Sequence, residues 1–171
     1  MIESYDIAAN RFYSSLRIKA LPILSWDLYA TFFRKVCDMQ NDVLILRNLA
    51  KSNNWLYDEN FDAEFLQKEH VIVVTDPQLK IVYVTQNMMQ MNGYGPKEVL
   101  GEKPNMFQGI DTCKKTSNAV RMAVKNKESF EVVLLNYRKD NTTYKCWIKG
   151  EPIFNTKGEV VNFIAYEKKV A

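Results

Sequence analysis

His70 is the only histidine in the 171-residue chain, so a Ser–His–Asp or Cys–His catalytic set would have to be built around it. No nucleophile motif of the GxSxG kind accompanies it, and no His, Cys, Asp and Glu spacing matches a metal site. Its place just ahead of an apolar β-branched run marks it as a surface or linker histidine, and no enzymatic activity is expected. Cys37, Cys113 and Cys146 are odd in number and widely spaced. They suggest neither a disulfide framework nor a CxxC metal site, and they point to a reducing, cytoplasmic setting. Cys113 falls in the first turn of a predicted helix, where the dipole favours a thiolate and a redox role is the sharper reading. Cys146 alternates with Tyr144 and Ile148 on one strand face. It either lines a pocket or sits as a small buried hydrophobe under a flanking helix.

Binding chemistry has better candidates. Val99 to Asp111 reads VLGEKPNMFQGID, with two glycines, one proline and a central apolar pair, Met106 and Phe107. Gly101 and Gly109 open backbone angles closed to other residues, and Pro104 fixes one angle and removes a donor. The segment is therefore a bent connector carrying large side chains, placed to line or plug a pocket. Gln108, beside Phe107, is polar in an apolar setting and needs a partner from the sheet or from a ligand. Asn136, inside a strand, follows the same logic. Met88, Met89, Met91, Met106 and Met122 make this part methionine-rich, which suits plastic core filling or an adaptable apolar pocket.

These side chains need a frame. Apolar residues at 47% and charged residues at 25% are the balance of a soluble globular chain that can bury a core without metals or disulfides. Residues 1–70 carry 8 Lys and Arg against 10 Asp and Glu, the remainder 15 against 10. That mild basic excess is not clustered as a nucleic-acid footprint would be, so nucleic acid is not expected as a partner. No apolar run spans a membrane, and MIESYDIAAN is no secretory signal. From Trp26 to Ala50 apolar residues step by three or four through Leu28, Phe32, Val36, Met39, Val43 and Leu46. This predicts an amphipathic helix of about six or seven turns. Tyr29, Phe33 and Leu49 widen its stripe enough to meet two surfaces, such as the sheet of its own domain and a second copy. Phe61 to Leu66 predicts a short helix.

At Val71 the period changes. Val71–Thr75 and Ile81–Thr85 predict two strands joined by an Asp76-Pro77 turn, hence antiparallel. Short helices follow at Asn87–Met91 and Pro96–Leu100. A longer one, capped by Asp111 or Thr112, runs to about Asn126, with Val120, Ala123 and Val124 on its apolar face. Three strands close the chain: Phe130–Tyr137, Thr143–Phe154 and Val160–Tyr166. The fold class is α+β, a five-stranded antiparallel sheet with short helices on one face, plus an N-terminal helical extension. The expected organisation is residues 1–69 as that extension and 70–171 as the domain.

In order and spacing, several segments resemble a PAS domain, and within it the light-oxygen-voltage type. They are Met91-Asn92-Gly93-Tyr94, Glu98-Val99-Leu100-Gly101, Phe107-Gln108-Gly109 with Asp111-Thr112, Asn136-Tyr137-Arg138-Lys139-Asp140, and Pro152 before Gly158. The resemblance runs from about Val71 to Lys169. It implies a sensory domain whose pocket, in that type, holds a flavin that bonds to a cysteine. Here Lys103 stands where an asparagine is expected and Pro104 where the reactive cysteine is, so the resemblance does not carry that photochemistry. Gln108 and Asn136 match flavin-contacting positions, Cys146 falls at a second ring-binding asparagine and Glu167 near a late-strand glutamine. A buried carboxylate at a flavin's pyrimidine edge is disfavoured unless paired or protonated. Haem-holding PAS domains use a histidine before the third strand, whereas His70 precedes the first.

The pocket candidates are therefore Gln108, Asn136, Phe107, Met106, Cys146, Ile148 and Glu167, with no catalytic and no metal residue. The favoured reading is a stand-alone PAS module that signals through contact, without a cofactor and without a catalytic output. Its partner would be a second copy or another signalling protein, met through the N-terminal helix and the sheet. The alternative is a sensor of a flavin, haem or metabolite.

Overall fold

The computed structural model describes residues 25–56, 61 and 70–170, with side chains of the first helix described from residue 33. The predicted short helix at Phe61–Leu66 lies outside the described residues, apart from Phe61. Helix α1 spans Ser25–Ser52. Residues 1–36 and Cys37–Ala171 form two separate units. In the second unit, strands β1 (Val71–Thr75) and β2 (Ile81–Val84) are followed by α2 (Met88–Asn92), α3 (Pro96–Val99), a 3-10 turn at Pro104–Phe107 and α4 (Lys114–Asn126). Strands β3 (Phe130–Tyr137), β4 (Thr143–Phe154) and β5 (Val160–Val170) complete it. All five strands pair antiparallel in the order β2-β1-β5-β4-β3, the expected architecture.

The inner strand β1 follows from composition. β1 is Val, Ile, Val, Val and Thr, buried at every position, so both its faces are covered and β-branched residues suit it. Strand β5 lies between β1 and β4, with Val71 opposite Glu167 and Val73 opposite Ala165 on one side, and Ile148 opposite Glu167 and Gly150 opposite Ala165 on the other. Because side chains alternate, Val71, Val73, Ala165, Glu167, Ile148 and Gly150 share one face. Ile72, Val74, Ile164 and Tyr166 share the other.

That second face carries α1. Val43 and Leu46 are buried against Ile72, Val74, Ile153, Ile164 and Tyr166, with Met39 and Leu49 packed alongside. Buried Asp42 ties the helix to the sheet edge: Tyr83 Oη donates to its Oδ1 at 2.5 Å and the Gln86 N–H to its Oδ2 at 3.0 Å. The stripe read from sequence thus meets the domain's own sheet, while Leu44 on the same helix is 58% exposed. His70 is also here, a correction: it is 4% exposed, and its ring packs at a tilt against Trp147 at 5.2 Å and Tyr166 at 6.2 Å. Its position just before the strand looked peripheral, but the aromatic neighbours that bury it come from β4 and β5, far along the chain.

Turns follow their residues. Gly93 closes α2 at φ 80°, donating to Met89 O, and Gly101 takes φ 84°. Gly109 is needed for another reason than expected. Its φ is not left-handed; a Cβ there would come within 2.4 Å of the Tyr137 ring.

Candidate ligand cavity

A cavity of about 370 Å³ lies between the first sheet face, the Pro104–Phe107 turn and α4. This volume is within the range of small-molecule sites. Strands contribute Val73, Thr75, Phe130, Leu134, Asn136, Ile148, Gly150, Ala165 and Glu167. The connector contributes Lys103, Pro104, Asn105, Phe107 and Gln108. Helix α4 contributes Ser117, Val120, Arg121 and Val124, a run at helical spacing that puts one face over the cavity. No side chain of α4 is fully buried, so this helix roofs the cavity without sinking into the core.

Two cavity residues shape the space by size. Gly150 lies opposite Phe130 across β3 and β4, and a Cβ at Gly150 would meet the Phe130 ring at 2.2 Å. The ring therefore rests on bare backbone, and any side chain at 150 would push it aside.

The polar groups set the chemistry. Gln108 receives a hydrogen bond on Oε1 from Ser117 Oγ at 2.9 Å, which fastens the connector to α4. The expected partner for Gln108 was the sheet or a ligand; the helix supplies it, and the amide nitrogen has no partner among the described residues. Asn136 is 3% exposed, and its Oδ1 is a buried acceptor with no partner among the described residues. The Thr75 Oγ1, at another part of the wall, likewise has no partner among the described residues. Burying such groups without partners is unfavourable by about 1–3 kcal/mol each, a deficit that a ligand or water can remove. Next to Asn136 on the strand face, burial raises the Tyr144 phenol above its ordinary value, offset in part by the Asn136 and Asn92 amides.

Glu167 is 4% exposed, and burial pushes its carboxyl up to about 7. Its one side-chain hydrogen bond among the described residues comes from Cys146 Sγ to Oε2 at 3.7 Å. Burial and the neighbouring Glu167 together hold the Cys146 thiol well above its ordinary value. Lys103 and Arg121 are exposed at the rim, with no carboxylate paired to either among the described residues.

Of the seven sequence candidates, Phe107, Gln108, Asn136, Ile148 and Glu167 line the cavity. Met106 and Cys146 do not. Met106 packs half-buried against the core cluster that includes Val71, Met88 and Phe107. Cys146 is fully buried beside Glu167. None of the five methionines noted in this region lines the cavity; Met88 is core, and Met89 and Met122 are exposed. Sequence reasoning missed Thr75, Arg121 and the Phe130–Gly150 pair. The arginine did carry a signal, being one turn from Ser117 and Val124 on a helix whose apolar face was already read. Cys113 is the residue before α4 and is exposed; hydrogen bonds with Thr116 lower its thiol below the ordinary value. Among the described residues no group of three or more His, Cys, Asp or Glu could hold a metal, and no helix is long and apolar enough to cross a membrane.

Comparison with known proteins agrees with this architecture. A PAS domain family model matches residues 69–168. The chain is 36% identical over 107 residues to phototropin-2 of Oryza sativa subsp. japonica, covering 62% of this chain and 12% of that protein. It is 33% identical over 102 residues to a blue-light photoreceptor of Listeria monocytogenes, covering 58% of this chain and 40% of that one. The chain thus spans well under half the length of these relatives. Among solved structures, a light-oxygen-voltage domain studied with a flavin analogue superposes with a TM-score of 0.61 at 32% identity, over 67% of this chain and 87% of that one.

Proposed function

The chain belongs to the PAS domain family and is similar to its light-oxygen-voltage members, and from that premise we propose that it is a sensor whose input is a flavin-class ligand in this cavity. This is the alternative of the sequence reading, and it now displaces the cofactor-free one. The observation that carries it is the buried, unpartnered Asn136 Oδ1 in a cavity of about 370 Å³ walled by Phe107, Leu134 and Ile148. The relatives named as blue-light photoreceptors support the same class.

The residues fit the group at most points. Asn136 Oδ1 would accept from a ring N–H, and the Gln108 amide nitrogen would donate to a ring carbonyl. The apolar walls would take the ring faces, and Lys103 and Arg121 at the rim would take an anionic tail. A bound flavin supplies blue-light absorption and reversible redox change. Pro104 lies in the wall, and no cysteine lines the cavity, so no covalent bond from a thiol to the ligand belongs to this proposal. The chain's own part is to bind, orient and exclude water, then to pass occupancy to α1 through the sheet, with no catalysis. The output is contact with a partner. Leu44 on α1, 58% exposed, offers an apolar contact for a second copy.

The test is the absorption spectrum of freshly purified protein, with mass spectrometry of the released small molecules and a riboflavin titration followed by fluorescence quenching. Yellow protein, or saturable riboflavin binding that Asn136→Leu weakens, is expected. A colourless preparation that ignores riboflavin up to its solubility limit would end the flavin reading. For the partner, light scattering after size exclusion should show a dimer that Leu44→Glu dissociates.

A further inference from the structure

We propose that Glu167 makes ligand binding proton-linked: the cavity accepts a neutral, carbonyl-bearing ring only when this side chain carries a proton to donate. The inference rests on the flavin-class reading above and goes beyond it, because it assigns to one residue of this chain a pH dependence of the site.

The geometry leads there. Glu167 stands on the central strand β5, flanked by Val71 of β1 and Ile148 of β4, and both flanking residues are apolar. Cys146 Sγ donates to Oε2, the one side-chain hydrogen bond of Glu167 among the described residues, and the residue lines the cavity. A ligand that fills the cavity displaces the water that could solvate an ionised carboxylate. Pairing it with a ring carbonyl would set two acceptors face to face, whereas the protonated acid donates one hydrogen bond to the same carbonyl.

Charges around Glu167 do not remove this demand. From β4 it faces the Cys146 thiol and, further along, the Tyr144 phenol, both neutral groups that resist ionisation. Asn136 of β3 and Asn92 of α2 are uncharged. Lys169 lies two residues on along β5 and is exposed. Lys103 of the connector and Arg121 of α4 are exposed at the rim, where water screens them. In keeping with this, the carboxyl is already pushed up to about 7 by burial. Ligand closure acts in the same direction.

Riboflavin is the probe, because it lacks the phosphate whose own second ionisation near pH 6 would confuse the result. If only the protonated form binds, the dissociation constant of the intact chain rises roughly thirtyfold between pH 6 and pH 8.5. Calorimetry at pH 8 in buffers of differing ionisation heat should show about one proton taken up per riboflavin bound. Glu167→Gln, which donates at every pH, should bind with a flat profile and take up no proton. Wild-type binding that is flat across this range, or that takes up no proton, overturns the inference and leaves the flavin reading standing. Equal pH dependence in Glu167→Gln also overturns it, since another group would then be responsible. Absence of riboflavin binding at every pH in both proteins would overturn the flavin reading and this inference together.

Discussion

At the scale of single residues the cavity wall combines groups that act through different physics. Glu167 ionises in the fold near pH 7 and in the unfolded chain near 4.5, because burial disfavours the charge. Between those values the native protein holds a proton that the unfolded chain has released. Stability is therefore fully present below about 4.5, declines as pH rises through the window and levels off above about 7. The full effect of that shift is about 3 kcal/mol. Urea unfolding of the ligand-free protein at pH 5 and pH 8 should show the wild type weaker at pH 8, and Glu167→Gln should lose most of that difference. A wild type equally stable at both would place Glu167 in a far wetter site than its 4% exposure allows. The rim cations act differently, at long range and in water. Arg121→Ala and Lys103→Ala should weaken a flavin mononucleotide roughly tenfold or less at low salt and leave riboflavin within about twofold, since only the former brings a phosphate. Equal losses for both ligands would remove the anionic-tail assignment.

At the scale of elements, α1 is held by an apolar contact and by one acid. Leu46 is fully buried, so Leu46→Ala should lower stability by about 2–5 kcal/mol. Asp42 is different. Burial raises its carboxyl, while Tyr83 and the Gln86 N–H favour its charged form. Asp42→Ala leaves the half-buried Tyr83 hydroxyl without its acceptor, at about 1–3 kcal/mol, but removes little packing. Hydrogen exchange in residues 39–52 should then speed up more than exchange in β3 and β4; uniform acceleration would mean that Asp42 supports the whole domain and not the helix docking. The elements themselves were legible. Val71–Thr75, Phe130–Tyr137 and Thr143–Phe154 fall where β-branched and alternating residues put them, because the backbone reads local periodicity. Strand β5 runs to Val170, past the expected Tyr166, since pairing with β4 continues through Lys168, Lys169 and Val170 although lysine carries no strand signal. The cavity was legible only in part. Gln108 and Asn136 announced themselves as polar residues in apolar company. An empty volume has no residue of its own, however. It arises because Gly150 yields its place to Phe130 and because α4 stops short of the core, both relations between distant segments. Met106 and Cys146 were drawn to the cavity by their neighbours, yet neither lines it.

At the scale of the whole molecule, one strand lies between the cavity and α1. β5 sets Ala165 and Glu167 against the cavity and, between and beside them, Ile164 and Tyr166 against Val43 and Leu46 of α1. A strand cannot shift or twist on one face without moving the side chains of the other, since successive residues share a backbone and a ladder on each side. On the proposed function, occupancy of the cavity would reach α1 over the thickness of a single sheet. Binding energy is available for this: at a hundred times the dissociation constant a ligand adds about 2.7 kcal/mol to the stability of the form it prefers. A helix docked through Val43, Leu46 and one acid is an element that such a sum can bias. The expectation is that saturating riboflavin changes hydrogen exchange in the connector and α4, which touch the ligand, and also in residues 39–52, which do not. Replacing Val43 with alanine opens space between α1 and β5 and should shrink the second response while leaving riboflavin affinity within about threefold, because Val43 packs on the opposite face of the sheet and does not line the cavity. Exchange changes confined to the connector, α4 and the strands beneath them would show that the cavity and α1 share a sheet without sharing a signal.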